Sequence, residues 1–299
     1  MTDIGGGERM RELDALVIGE ALVDVTYDRD GVAEHVGGSP ANVALGLGRR
    51  GRTVALLTQL AADARGARIR EHLARSHVEV RGALVARTST ATATVGADGQ
   101  ASYEFDIRWQ RMTADIPMQP RLVHTGSIAV FVQPGADSVF DIIASQTEDV
   151  VVTLDPNIRP ALVGDARTAR RRFEELGRFA DIVKLSDEDA AFLYPEEPLE
   201  AVLDRVLGWG VRIAAVTRGD KGATLASAKG SVSIPAAPVQ VVDTIGAGDT
   251  FMVGLIDGYL DSDATDGSAL HALGSAAAAL AAQTVSRAGA DLPWRSVQS

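Results

Sequence analysis

Short apolar, β-branched runs alternate with longer segments of helical spacing along most of the chain. Residues 13–19 (LDALVIG) read as a buried strand that ends in glycine. Ser39-Pro40 supplies a helix cap followed by proline at the first helical position, which predicts a helix to Arg50 and a strand over 53–60. Strand-then-helix units recur over 122–125 and 137–145, over 150–154 and 166–176, and over 182–185 and 187–194, with a further strand over 213–217. Such alternation implies a mainly parallel sheet covered by helices on both faces. The expected fold class is α/β, doubly wound, in a single domain over 1–299 with no internal repeat or low-complexity linker.

One stretch breaks the rhythm. Residues 85–107 (VARTSTATATVGADGQASYEFDI) are rich in Thr, Val and aromatics around Asp98-Gly99, a pair that favours a tight hairpin turn. Thr90, Thr92 and Thr94 alternate with alanines, so one face of this ribbon is hydroxyl-rich and the other small. A lone two-stranded ribbon is marginal in water, and the strand-like residues 25–36 are its nearest predicted partner. Segments at about 25–36 and 85–108 are thus expected to form a small β-sheet lid, which also joins two subunits into a homodimer.

Composition narrows the classes. The formal net charge is −11, which disfavours nucleic acid or an anionic membrane as the main partner. With no cysteine there is no disulfide, thiolate metal site or cysteine nucleophile. Residues 1–12 lack the apolar core of a signal peptide, and the Ala-rich run over 276–282 is broken by Gln283, so a cytoplasmic protein is expected. His35, His72, His77, His124 and His271 show no metal-binding spacing and read as surface or core residues. Arg167, Arg170, Arg171 and Arg172 read as a solvated helix face. Gly46-Leu47-Gly48-Arg49-Arg50-Gly51 spells G-x-G-x-x-G, but a helix precedes it and a strand follows, the reverse of a dinucleotide site. That order argues against a dehydrogenase, and the missing G-x-x-x-x-G-K-[ST] argues against a P-loop enzyme.

The chemistry concentrates in Asp243-Thr244-Ile245-Gly246-Ala247-Gly248-Asp249, where a strand-like end runs into small residues and then a helix. Glycines let backbone N–H groups approach a ligand, and a helix N-terminus favours anionic oxygens. Asp249, in the first turn, is placed to accept a proton from an alcohol held beside that anion site. Phosphoryl transfer needs both elements. Read without further context, the same residues also suit a tight strand-to-helix turn whose Asp complements the helix dipole.

This segment resembles the D-T-x-G-A-G-D signature of the ribokinase/PfkB carbohydrate kinases. The resemblance implies Asp249 as base, with Gly246, Ala247 and Gly248 supplying the anion hole. Gly37-Gly38-Ser39-Pro40-Ala41-Asn42 is similar to the family's sugar-binding G-G-x-x-x-N, and Gly19-Glu20-Ala21-Leu22-Val23-Asp24 to its first strand end; these imply Gly37, Gly38, Asn42 and Asp24 as sugar contacts. Asp155-Pro156-Asn157-Ile158-Arg159 resembles the D-x-N-x-R of fructokinases and 2-keto-3-deoxygluconate kinases, bringing in Arg159. Tyr103 and Arg108 lie where family members carry lid residues over the sugar. Thr217-Arg218-Gly219-Asp220-Lys221-Gly222 resembles the T-x-G-x-x-G nucleotide loop, implying Thr217, Gly219 and Gly222. Lys184-Leu185-Ser186-Asp187-Glu188-Asp189 departs from the family's K-x-N-x-x-E. Lys184 and Ser186 would then face the nucleotide, while the shorter Asp189 would reach Mg²⁺ through water. Asp243, with the backbone near Ile245 and Gly289, matches the family's monovalent-cation region, implying K⁺.

The resemblance therefore implies a ribokinase-like fold and ATP-dependent phosphorylation of a sugar's primary hydroxyl. Fructose is the leading substrate, because the quoted motifs together look most like bacterial fructokinases. A sugar acid such as 2-keto-3-deoxygluconate, clasped by Arg108 and Arg159, or a nucleoside are the alternatives. A non-catalytic sugar- or nucleotide-binding regulator is the rival from another class, and the intact Asp249 speaks against it.

Overall fold

The computed structural model describes residues 13–28, 31–95, 101–113 and 119–295. Among the described residues, thirteen strands form two sheets. β1 (Leu13–Ile18), β4 (Val54–Leu57), β5 (Val78–Arg81), β8 (Pro120–Gly126), β9 (Val151–Asp155), β10 (Ile182–Ser186), β11 (Ile213–Thr217), β12 (Ala223–Ser227) and β13 (Gly230–Ile234) make the central sheet. Its order is β13-β12-β11-β10-β9-β8-β1-β4-β5, parallel from β5 to β11 and antiparallel only across the last two joints. The strands are apolar on both sides because both sides are covered. On β1, Leu16 and Ile18 join the core beneath helices Gly135–Ala144, Ala166–Gly177 and Leu199–Leu207. Ala15 and Val17 join the core beneath helices Ser39–Arg49, Ala64–Ala74, Ala247–Asp261 and Gly267–Val285.

The expected doubly wound architecture is present. The chain leaves β1 towards β4 and β5 but leaves β8 towards β9, so the winding direction switches between β1 and β8. Ligands of such sheets bind in the crevice outside the carboxyl ends at that point.

The second sheet contains β2 (Leu22–Asp28), β3 (Gly31–Gly37), β6 (Thr90–Val95) and β7 (Ala101–Asp106), in the order β3-β2-β6-β7. Residues 25–36 and the threonine-rich ribbon do pair, through a parallel joint that sets Val23 against Thr90 and Asp24 against Ala91. The Asp98-Gly99 turn lies outside the described residues. Paired positions share a face, so Thr90 and Thr92 lie with the buried Val23 and Val25, towards the body. The small face, Ala91 and Ala93, lies with Asp24, Phe105 and the exposed Tyr103.

Two local expectations are corrected, and a third is met. Helix Ser39–Arg49 is capped by Gly38 without any side-chain bond; Ser39 is already helical and its hydroxyl goes elsewhere. Arg170 and Arg172 are half-buried rather than solvated. Arg170 donates to the Leu193 carbonyl and stacks on Tyr194, while Arg172 donates to the Val130 carbonyl and stacks on Phe140. The glycines of the inverted fingerprint serve packing: a Cβ on Gly46 would stand 2.6 Å from Val253, and one on Gly48 2.0 Å from the Ser76 carbonyl.

Helices Ala247–Asp261 and Gly267–Val285 pack closely enough that a Cβ on Gly254 would lie 2.5 Å from Ala277 Cα. Gly254→Val should therefore destabilise the protein by about 1–3 kcal/mol through overpacking. Urea unfolding measures this, and an unchanged midpoint would show that the helices part without cost.

Candidate active site

Asp249 sits in the first turn of helix Ala247–Asp261, whose N-cap Gly246 has φ 77°, a left-handed value that favours glycine. The carboxylate is buried yet fully provided with donors. Ser39 Oγ donates to Oδ1 at 2.6 Å, Asn42 Nδ2 donates to Oδ2 at 2.8 Å, and Asn157 Nδ2 approaches Oδ1 at 3.3 Å. Ser39 and Asn42 are three apart on one helix and so share a face. Around Asp249 the first helical N–H groups lack intrahelical acceptors, which makes this end an anion site. Of the three amides expected there, Ala247 donates instead to the Thr244 carbonyl at 3.2 Å.

The residues expected to contact the sugar gather opposite. Asp24 opens into the cleft from β2, and its Oδ2 occupies the space a Cβ on Gly37 would need, at 2.0 Å. Gly38 has φ 103° and passes so close to Glu20 that a Cβ would meet its carbonyl at 2.6 Å. Surrounding protein raises the pKa of Asp24, opposed by Arg159 and His35 and assisted by Asp249. Arg159 donates to Asn157 Oδ1 at 2.7 Å, so it is linked through Asn157 to the base.

Below the anion site, Lys184 Nζ donates to Asp155 Oδ2 at 2.9 Å, both side chains being buried. Burial raises Asp155 to about 6, against the pull of Lys184. Burial alone would depress Lys184, but Asp155, Asp189 and Asp249 outweigh it and raise its pKa, so the ammonium stays charged. Asp243 accepts from the Ile245 and Gly289 amides at 3.0 and 2.8 Å, which lowers its pKa and brings together the three positions expected near a monovalent cation.

Other expected contacts fall differently. Ser186 and Asp189 form a capping box on helix Asp187–Leu193; Asp189 accepts from the Ser186 and Ile158 amides at 2.9 and 2.7 Å. Both oxygens of Asp189 are thus held by backbone, and the Ser186 hydroxyl accepts from the Asp189 amide. Arg108 is ion-paired with Asp106 at 2.6 Å on the lid strand. Tyr103 is 69% exposed on the face shared with Asp24. Thr217 caps the end of β11 by donating to the Leu185 carbonyl at 3.3 Å, and Gly219 and Gly222 bound the following single turn. Among the described residues no group of three or more His, Asp or Glu side chains is placed to hold a metal ion.

Four residues were not singled out from sequence: Ser39, Asn157, Asp155 and Glu20. Glu20 is buried, accepts from the Ala129 amide at 3.0 Å and leaves Oε1 without a partner. Spacing offered a signal for two of them. Ser39 lies one helical turn before Asn42, and Asn157 alternates with Asp155 and Arg159.

Comparison with known proteins gives the family. Residues 12–296 match the pfkB family carbohydrate kinases. This chain belongs to that family. A fructokinase of Rhizobium leguminosarum bv. trifolii is 33% identical over 81% of this chain and 78% of its own. A Klebsiella pneumoniae fructokinase is 33% identical over 81% and 83%. The crystal structure of a fructokinase double mutant from Vibrio cholerae O395, bound to fructose, ADP and potassium ion, superposes with a TM-score of 0.82 at 26% identity, covering 94% of each chain. The chain is accordingly a PfkB-family sugar phosphotransferase with a ribokinase-like fold.

Burial raises the pKa of Glu20 to about 7. The folded state therefore holds a proton that the unfolded state releases near the ordinary value of 4.5, so this contribution is full at low pH and is lost as pH rises through 7. Glu20→Gln keeps an acceptor for Ala129 and should raise the unfolding temperature at pH 8.5 but not at pH 4. Calorimetry at both values tests it, and an equal shift at both would remove the carboxyl's titration as the cause.

Proposed function

We propose that this kinase phosphorylates a small neutral ketose, D-fructose foremost, at a primary hydroxyl, using ATP with Mg²⁺ in the cytoplasm. The carrying observation is the charge balance around Asp249. Asp24, Glu20 and Asp249 crowd the sugar side; there Arg159 acts on both Asp24 and Glu20, and His35 acts on Asp24. Arg108, the second arginine needed to clasp a carboxylate, is engaged by Asp106. A sugar acid would meet more negative than positive charge, whereas vicinal hydroxyls can donate to Asp24 in charge-assisted bonds. The kinship with fructokinases supports the same choice.

In the reaction, the sugar hydroxyl gives its proton to Asp249 as its oxygen bonds to the γ-phosphorus. The bond from that phosphorus to the bridging oxygen breaks, and ADP leaves. The helix N-terminal amides take up charge on the transferring group. Mg²⁺ would be held mainly by the nucleotide phosphates and water and would screen the phosphates' charge. K⁺ would sit by Asp243. Lid closure over Asp24 excludes water from the phosphoryl group.

Asp249→Asn should lower kcat by about 10²–10⁴-fold, with a much smaller change in sugar affinity. Equal turnover would remove Asp249 from the chemistry. A coupled ADP-release screen over ketoses, aldoses, sugar acids and nucleosides should show fructose turned over best; turnover confined to sugar acids or nucleosides would overturn the substrate assignment. Two lids packing through their small faces would form a homodimer. Deleting residues 94–102 should then give a folded monomer with weak sugar affinity by light scattering and kinetics, and a variant still dimeric with normal affinity would refute that role.

A further inference from the structure

Strand β7 ends at Asp106, and three residues later the chain is inside the body. Trp109 is 2% exposed and belongs to the core beneath helix Gly135–Ala144. Glycine at 135 makes its seat, since a Cβ there would stand 2.4 Å from Trp109 Cδ1. A buried indole N–H needs an acceptor, and this one donates to the Ala129 carbonyl at 3.0 Å. The choice of acceptor is informative. The amide of the same Ala129, in the single-turn helix Ile128–Phe131, donates to Glu20 Oε2 at 3.0 Å. Glu20 lies in the turn from β1 to β2, the strand that carries Asp24. Both backbone groups of one residue thus join the floor beside Asp24 to the tryptophan where the small sheet enters the body.

Residues 107–112 belong to no strand, and buried side chains of the body take the place of one. Ser89 Oγ accepts from the Arg108 amide at 2.9 Å, Gln59 Oε1 from the Gln110 amide at 2.7 Å, and Ser138 Oγ from the Met112 amide at 3.0 Å. Every second amide is therefore held without a sheet to hold it. Ser89 also reaches β2, because its carbonyl accepts from the Val23 amide at 3.1 Å. The strap and the strand of Asp24 are fastened to one residue.

Resting on the reading of the small sheet as a lid over the sugar, we propose that Trp109 is a positioning residue, the fixed end of the lid, set by the Trp109–Ala129–Glu20 strut at a constant height above the sugar floor. The indole does not touch the substrate. It acts through β7, whose exposed Tyr103 shares a face with Asp24. With the strap fixed, the lid swings from the residues just after Asp106 and comes down in register with a sugar bound to Asp24. With the strut cut, the same lid closes in several registers, only some of them productive. Sugar affinity then falls by the fraction of closures that remain productive, while a sugar that has been captured reacts as before.

Steady-state kinetics of the full-length protein, on the sugar that the screen turns over best, tests this. Trp109→Phe keeps an aromatic ring and deletes the N–H. It should raise the sugar KM by roughly 3–10-fold, the reach of one lost hydrogen bond, with kcat and the KM for ATP within about twofold of wild type. Gly135→Ala pushes the indole from the other side and should give the same split; melting curves report the fold of both. Glu20→Leu deletes the acceptor for Ala129. Combined with Trp109→Phe it should be no worse than the worse single variant, because one strut is cut twice. Hydrogen exchange needs no variant: in the sugar-free wild type the amides of 108–112 should be protected, and added sugar should slow those of β7. An unchanged sugar KM in a folded Trp109→Phe or Gly135→Ala variant overturns the proposal. So do fully additive effects in the double variant, or amides of 108–112 that exchange as fast as those of β7. A wild type whose β7 amides are slowed by no sugar overturns the lid reading, and this proposal with it.

Discussion

The Asp249 carboxylate is the point on which the arrangement of the molecule turns. It accepts from Ser39 and Asn42 on one helix and from Asn157 on the loop after β9, so it fastens three distant parts of the chain at one rim of the sheet. Those bonds can form only if helices Ser39–Arg49 and Ala247–Asp261 begin side by side. That in turn requires the small residue at 46 below, where Val253 presses in. Parallel strands bring every carboxyl end to this rim, which is why residues from β1, β9, β10 and the last helices meet there.

Much of this was legible in the chain. Alternating apolar runs implied the sheet, and the segment around Gly246 and Gly248 implied an anion site next to an acid. Hidden from the sequence were relations that depend on partners far along the chain. Ser39 has the composition and position of a cap, but a carboxylate 2.6 Å away is a better acceptor for its hydroxyl than a turn of backbone is a use for its oxygen. Ser186 and Asp189 show the reverse: residues expected at a ligand are occupied by local capping, because a Ser three residues before an acid also satisfies the helix's own amides. Arg170 and Arg172 read as solvated because periodicity weighs charge, not the apolar stems and ring faces that half-bury them.

The site also sets stability against chemistry. Glu20, Asp155 and Lys184 lie where burial penalises charge, and two of their oxygens have no partner among the described residues. An apolar trio would pack at less electrostatic cost. The rest of the core, continuous on both faces of the central sheet, carries that deficit.

The central joint of the lid has a consequence for how the protein is made. Asp24 pairs with Ala91 only after β3, helix Ser39–Arg49, β4, helix Ala64–Ala74 and β5 have intervened. Neither lid hairpin has a third strand without the other, and a lone hairpin is marginal. Entropy of loop closure must be met before that parallel pairing gives anything back. β4 and β5 lie between the two hairpins in the chain, so their docking on β1 is what brings the hairpins into register. The small sheet therefore cannot be completed until β7, ending at Asp106, has been made.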